Sequence, residues 1–258
     1  MNDNVRVGLI GYGYASKTFH APLIAGTPGM ELAVISSSDA GKVHADWPGM
    51  PVVSDPKHLF NDPHLDLIVI PTPNDTHFPL AKAALEAGKH VVVDKPFTVT
   101  LSQARELETL AKSAGLVLSV FHNRRWDSDF LTLKQIIAEG QIGEVAYFES
   151  HFDRFRPQVR DRWREQAGPG SGIWYDLHRI CWIRRCSFLG CRSVSTSISR
   201  SCARARRRRT ISTPCWRTRS GALCCTVRCW RQRSPRVISY TALAAATSSL
   251  ALILRRKA

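Results

Sequence analysis

The run Val5-Arg-Val-Gly-Leu-Ile-Gly11-Tyr-Gly13-Tyr-Ala-Ser16 constrains the fold more than any other stretch of the chain. An apolar, strand-like segment turns at two closely spaced glycines and enters a helix, the arrangement by which a backbone approaches a dinucleotide pyrophosphate. Gly11, Gly13, Tyr14 and Ala15 are therefore candidate cofactor contacts. Ser16 stands where a third glycine would let helix and strand pack closely. The match is incomplete, and a plain strand and turn would give the same short pattern.

The residues that follow alternate strand and helix. A helix is expected over about residues 16–25, Pro28-Gly29 breaks it, and 31–36 reads as a second strand. Ser36, Ser37 and Ser38 lie at the end of that strand, ahead of Asp39 and Lys42. A carboxylate at this point favours a free ribose hydroxyl, whereas small polar residues leave room for a 2′-phosphate. NADP is expected, with NAD the alternative; a solvent-facing turn also explains the serines. Residues 51–54 form a short strand candidate, 56–60 a short helix and 65–70 a concentrated apolar strand. That strand leads into Pro71-Thr-Pro-Asn-Asp-Thr-His77. Loops beyond the carboxyl ends of parallel strands are where ligands bind, so Thr72, Pro73, Asn74 and His77 are candidates, against the alternative of an ordinary turn.

A helix over 78–87 ends at Gly88, and His90-Val-Val-Val-Asp94 forms the next strand, with Lys95-Pro96 directly after it. An amphipathic helix over 102–114 and a strand over 116–121 complete the series. Units of this length imply an α/β, Rossmann-type parallel sheet with helices on both faces, in a domain of residues 1–121.

An α+β domain starts at 122. Ser128 is expected to cap a helix to Ala138 that buries Phe130, Leu133, Ile136 and Ile137. Residues 144–155 alternate as a half-buried strand does, which suits an antiparallel sheet with one face on helices. Arg154, Arg156, Arg160, Arg162 and Arg164 could hold an anionic or hydroxyl-rich ligand, although a solvated mixed-charge surface is the commoner origin of such a run. Gly168-Pro-Gly-Ser-Gly172 suggests a close backbone approach before Trp174-Tyr175-Asp176.

Charge divides the chain at Leu177. The net +15 suggests a polyanion partner until its location is traced. Residues 1–177 hold 17 basic and all 21 acidic side chains, a net of −4, whereas 178–258 hold 18 Arg, one Lys and no carboxylate. All eight cysteines also fall between Cys181 and Cys229. Residues 1–6 lack the long apolar core of a secretory signal, so a cytoplasmic protein is expected. Cys181, Cys186, Cys191 and Cys202 do not form paired Cys-x₂₋₄-Cys spacings, and no metal is expected. Arg204 to Arg209 near Trp216 could contact nucleic acid, although no specific nucleic-acid partner is expected. Val237 to Leu254 is moderately apolar but rich in Ser and Thr, a weak case for a membrane span.

Residues 1–177 resemble the inositol and glucose–fructose oxidoreductase (Gfo/Idh/MocA) superfamily, especially its bacterial members near NADP-linked scyllo-inositol dehydrogenases. The resemblance rests on the glycine loop, the Pro71–His77 run, Asp94-Lys95-Pro96, His122-Asn-Arg-Arg-Trp-Asp127 and the glycine-rich approach to Asp176. It implies a nicotinamide domain followed by an α+β domain, here incomplete, whose sheet binds a sugar or polyol and mediates homo-oligomerisation. It implies Lys95 as the catalytic lysine, Asp94 beside it at the cofactor, Asp176 as a catalytic and substrate-hydroxyl residue, and Asn123, Arg124 and Tyr175 as substrate contacts. Physical chemistry agrees on Lys95, since an oxidised nicotinamide and partial burial both favour a lysine able to accept a proton.

One departure from the family concerns turnover. The resemblance places a histidine four residues after Asp176, where this chain has Ile180. His178 lies two residues away instead, a rotation of about 200° on a helix. The resemblance also leads one to expect Asp-Leu-Ala-Pro-His-Leu-Leu-Asp-Gln here. Codons GCA CCG CAT CTG CTG GAT CAG, with their first base dropped, read CAC CGC ATC TGC TGG ATC, which spells His178 to Ile183. The tail of 178–258 is thus expected to be out of frame, irregular and poorly suited to a sheet. A noncatalytic basic binding or structural protein is the alternative.

Overall fold

The computed structural model describes residues 4–141, the strands 145–155, 211–212, 215–217, 222–230 and 248–254, and positions 170–172, 175–176, 180, 183–184 and 187. The chain divides into two compact units, 1–122 and 123–258.

The first unit carries β1 (Val5–Ile10), β2 (Met30–Ser36), β3 (Val52–Val53), β4 (Leu67–Ile70), β5 (His90–Asp94) and β6 (Leu118–Phe121). They form a six-stranded sheet in the order β3-β2-β1-β4-β5-β6, with every pair parallel. The order reverses between β1 and β4, which opens a crevice at their carboxyl ends. A π-helical turn (Ser16–His20) continues into α1 (Ala21–Gly26), followed by α2 (Ala40–Asp46), α3 (Lys57–Asn61), α4 (Asn74–Glu86) and α5 (Leu101–Ser113). Side chains alternate across the sheet, and both faces are buried. Val7, Leu9, Ile35 and Val69 pack with Ala21, Ile24 and Val43 on one side. Ile10, Ile68, Ile70, Val91 and Val93 pack with Leu59, Ala81, Leu85 and Leu107 on the other. Burial on both faces is why the strands read as nearly continuous apolar runs.

Gly8 is the closest-packed point in β1. A β-carbon there would stand 2.9, 3.0 and 3.1 Å from terminal methyls of Leu59, Leu65 and Ile68. Glycine inside a strand marks such an approach.

Helix boundaries differ from the sequence expectation where side-chain chemistry intervenes. α4 begins at Asn74, four residues earlier than expected, because Pro73 is extended at ψ 146° and its carbonyl accepts both the amide and the hydroxyl of Thr76. Asn74 and His77 are therefore helical residues, and the loop shrinks to Pro71–Pro73. Thr100 and Gln103 form a reciprocal capping box at α5, satisfying orphan amides at both positions.

In the second unit, α6 (Ser128–Ala138) starts after Asp127 rather than being capped by Ser128, and no side-chain cap bond forms there. Of its expected stripe, Phe130 is buried while Leu133, Ile136 and Ile137 are half-buried. The sheet contains β7 (Val145–Phe155), β8 (Ile211–Ser212), β9 (Cys215–Arg217), β10 (Ala222–Trp230) and β11 (Ser248–Leu254). Its order is β11-β7-β10-β8, with β9 also on β10. This corrects two expectations. The sheet is mixed, since β10 runs parallel to β7 while β11 is antiparallel to it. The tail also contributes strands, because ladder bonds come from the backbone and Val227, Thr226 and Trp230 favour extended chain whatever the net charge. The side chains of β7, residues 156–169 and 237–247, Cys181, Cys186, Cys191, Cys202 and Arg204 to Arg209 lie outside the described residues. Among the described residues no helix is long and apolar enough to cross a membrane.

Replacing Gly8 by Ala is expected to destabilise the first unit by about 1–3 kcal/mol through overpacking, and Gly8→Val by more. Urea unfolding followed by far-UV circular dichroism checks the order Gly, Ala, Val.

Candidate cofactor site

Because β1, β2, β4 and β5 are parallel, their following residues collect at one edge of the sheet. Gly11 leaves β1 with φ +84°, a conformation that disfavours any side chain. Its amide donates to Ser36 O at 2.6 Å, which joins the ends of β1 and β2. On its other side, a β-carbon at Gly11 would lie 3.4 Å from Thr72 Cγ2. Gly11 and Thr72 thus face each other at the point where strand order reverses. Gly13 has open space where its side chain would be, so a ligand can reach its backbone. These features fit the pyrophosphate of a dinucleotide: a bare backbone, a helix start and a groove at the strand reversal.

Ser16, the departure from the three-glycine pattern, is turned inward. It is buried, and its hydroxyl donates to Gly11 O at 2.8 Å. The serine therefore satisfies the carbonyl of the glycine turn, and the widened Ser16–His20 turn coincides with its extra bulk.

The remaining candidates occupy distinct positions. Tyr14 is exposed and meets Phe19 edge-on at 6.1 Å, and Ala15 is half-buried. Ser36 is buried, Ser37 is half-buried and Ser38 is exposed. Ser37 and Asp39 bond within the turn, while Asp39 accepts the Lys42 amide at 3.1 Å and faces the Lys42 ammonium at 3.3 Å. That amide is the main reason the Asp39 carboxyl is held below the usual range. Pro73 is exposed and Asn74 buried. His77 is buried, with Nδ1 at 2.9 Å from Pro96 O and Nε2 at 2.8 Å from Thr72 O. Its ring ties the two loops from behind, so the expected ligand-lining role for His77 becomes a structural one. Asp94 accepts the Lys95 amide at 2.7 Å, and Lys95 is half-buried before the cis Lys95–Pro96 bond.

In the second unit, Asn123 and Arg124 lie in a 3₁₀ turn (Asn123–Arg125), and Arg124 pairs with Asp127 at 3.3 Å. Tyr175 and Asp176 are half-buried, and the Asp176 amide donates to Gly172 O at 3.1 Å.

Several residues at the site carry no sequence signal. Asp46, at the end of α2, accepts the Tyr12 hydroxyl at 3.0 Å and the Lys17 ammonium at 2.7 Å. It thereby fastens the glycine loop to α2. The Lys17 bond is the main cause that lowers the Asp46 pKa, and Tyr12 is raised first by burial and then by Asp46. His20 lies buried beside Asp94 at 3.6 Å, and its Nε2 has no hydrogen-bond partner among the described residues. Leaving such an atom unpaired costs about 1–3 kcal/mol. Nothing in the spacing of Tyr12, Lys17 and Asp46, or of His20 and Asp94, reveals these pairs.

A doubly wound parallel sheet with a glycine turn at its strand reversal defines a dinucleotide-binding protein. Residues 5–122 match the oxidoreductase family with an NAD-binding Rossmann fold, and residues 130–234 match the Gfo/Idh/MocA C-terminal domain. The chain belongs to the Gfo/Idh/MocA oxidoreductase family, whose members are NAD(P)-dependent oxidoreductases.

Among its relatives, uncharacterized oxidoreductase YdgJ of Escherichia coli K12 is 88% identical over 177 residues, covering 69% of this chain and 51% of that protein. The scyllo-inositol 2-dehydrogenase (NADP(+)) IolW of Bacillus subtilis is 39% identical over 175 residues, 68% of this chain and 49% of that protein. The chain thus spans about half the length of these curated relatives. The solved structure of YPO2259 from Yersinia pestis superposes with a TM-score of 0.78 at 58% identity, over 88% of this chain and 64% of that one.

Asp46→Asn is expected to bring the Tyr12 pKa down toward its ordinary value without restoring it fully, since burial is the larger cause. Ultraviolet difference titration against a Tyr12→Phe reference measures this. The clamp also has a defined pH window. Asp46 is a carboxylate with a depressed folded pKa, so its contribution is complete above the unfolded value and is lost as pH falls through the folded one. The stability difference between wild type and Asp46→Asn should therefore vanish in acid, as followed by thermal melts across pH.

Proposed function

We propose that the chain is a scaffold for NADP-linked oxidation or reduction of a sugar or cyclic polyol. The Gly11–Thr72 juxtaposition at the strand reversal carries this proposal, because it leaves an exposed backbone beside the end of β4 with Lys95 following β5. Similarity to IolW, whose name gives scyllo-inositol and NADP(+), supports the polyol class and the cofactor. NADP is further supported by the turn after β2. Asp39 caps α2 by accepting the Lys42 amide and faces the Lys42 ammonium at 3.3 Å, while the exposed Ser38 and Lys42 are suited to a 2′-phosphate.

When bound, the nicotinamide supplies the hydride chemistry, and the protein supplies position and charge. Lys95 moves the proton of the substrate hydroxyl, held at the strand end by the Asp94 carboxylate on its amide. Asp176 binds a substrate hydroxyl, with Asn123, Arg124 and Tyr175 as further contacts. Turnover is expected to be low, because the position of the family's histidine is Ile180, a buried side chain that cannot take a proton. His178 lies outside the described residues.

A change of reading frame after Leu177 accounts for the substitution and for the acid-free tail. The 177-residue length of the 88% identical match to YdgJ supports it. The C-terminal family match, which extends to residue 234, weighs on the other side. Reading the nucleotide sequence in all three frames decides the matter: an alternative frame restoring Asp-x-x-x-His is expected, and its absence rejects the frame change.

A folded sample should bind NADPH saturably by fluorescence, and failure to saturate would count against a cofactor scaffold. Lys42→Ala should weaken NADPH by about three- to tenfold while leaving NADH unchanged, as expected for one exposed charge-assisted contact to phosphate. Oxidation of inositols should be absent or very slow. Measurable turnover that disappears in an equally folded Lys95→Ala variant would overturn the expected inactivity while supporting the role of Lys95.

A further inference from the structure

His20 has been given no role so far, although it lies buried beside Asp94, the residue that precedes Lys95. The Ser16–His20 turn carries its ring from the helix behind the glycine loop to the carboxyl ends of β5 and β6, where it stands 4.3 Å from the Phe121 ring. Only 3% of the residue is exposed. Nε2 faces Asp94 Oδ2 at 3.6 Å and has no hydrogen-bond partner among the described residues. The second oxygen of the same carboxylate, Oδ1, already accepts the Lys95 amide at 2.7 Å. Asp94 therefore stands between a buried ring nitrogen and the backbone of the lysine.

We propose that His20 is a positioning residue for Lys95, acting through Asp94. This rests on the role given to Lys95 under the proposed function. The ring Nε2–H donates to Oδ2 after an approach of about 0.5 Å, a displacement of thermal size. A carboxylate held through one oxygen can swing about its terminal torsion, which is broad. Held through both, it fixes the Lys95 amide and the direction in which the lysine side chain leaves the strand. An apolar side chain at position 20 would pack against Phe121 equally well, so packing alone leaves the ring nitrogen unexplained. A bond to Asp94 explains both its burial and its direction.

The test reads Lys95 directly and needs neither turnover nor cofactor. The full-length chain is treated with a water-soluble acetylating ester at one alkaline pH. Acetylation of Lys95 is followed by peptide mass spectrometry, with exposed Lys112 as the internal reference. His20→Phe should change the Lys95 rate by about threefold or more relative to Lys112, the size of one lost hydrogen bond. His20→Gln, which keeps an N–H donor, should recover most of the wild-type rate. Asp94→Asn alone should also shift the rate, and adding His20→Phe to it should change nothing further, because the two residues act as one unit.

Wild-type rates in His20→Phe, or an undiminished His20→Phe effect on top of Asp94→Asn, would overturn the positioning role. Thermal melts report whether each variant folds. If His20→Phe does not, His20→Leu takes its place, and the Asp94→Asn comparison with His20→Gln still decides. NADPH fluorescence on the same samples separates the two levels of inference. Loss of saturable binding in wild type rejects the cofactor scaffold, whereas the acetylation rates decide the His20–Asp94–Lys95 connection independently.

Discussion

The pairing of β1 with β4 is the constraint on which the cofactor site depends. Val7, Gly8 and Leu9 lie opposite Leu67, Ile68 and Val69 in parallel register. That register is possible at this spacing because Gly8 offers no β-carbon to the methyls of Leu59, Leu65 and Ile68. With the register fixed, the turn after β1 and the turn after β4 finish side by side. Gly11 and Thr72 then meet without any side chain having to bring them together. A slip of one residue would exchange the two buried faces of the strand and move the glycine turn away from Thr72.

The edge is then secured from behind by polar contacts that leave its front open. Ser16 answers the Gly11 carbonyl, His77 spans Thr72 and Pro96, and Asp46 draws in Tyr12 and Lys17. Ser16 and His77 act on backbone carbonyls and Asp46 on two side chains, and none of them fills the open space at Gly13. This division fits a site whose ligand is recognised by backbone amides and whose loops must hold still to present them.

Much of this was legible in the sequence, for a physical reason. Strands buried on both faces must be apolar throughout, so β4 and β5 stand out as Leu67–Ile70 and His90–Asp94 between turn formers. The glycine turn was visible because its position follows from a strand end, whereas Lys95 was singled out by the family resemblance, with its place after β5 in agreement. What stayed hidden depends on partners distant in sequence. The inward turn of Ser16, the burial of His77 and the approach of His20 to Asp94 are settled by tertiary contacts. The early start of α4 is local, but Pro71, Pro73 and Asn74-Asp75 also suit an ordinary turn, so the sequence places the helix only from residue 78. The strands of 211–254 carry no signal in composition, because their pairing rests on backbone rather than on side-chain complementarity. An acid-free, arginine-rich segment is a poor prospect for side-chain complementarity, but a ladder asks only for extended backbone.

Arg184 shows how such a segment is anchored. It is fully buried, with Nη2 2.8 Å from Asp127 Oδ2, Nη1 3.3 Å from Asp129 Oδ2 and its guanidinium 5.2 Å from the Phe130 ring centre. The tail has no carboxylates of its own, so its buried arginine takes them from the start of α6, where acidic groups are already favoured by the helix dipole. Such a pair is weak evidence of net stabilisation, since burying two charges offsets much of their attraction. It is stronger evidence about specificity. A guanidinium offers five donors in a rigid plane, so one arginine can engage two carboxylates and an aromatic face at once. Arg184 therefore needs no charge complementarity elsewhere in 178–258: the carboxylates of Asp127 and Asp129 and the face of Phe130 receive its guanidinium.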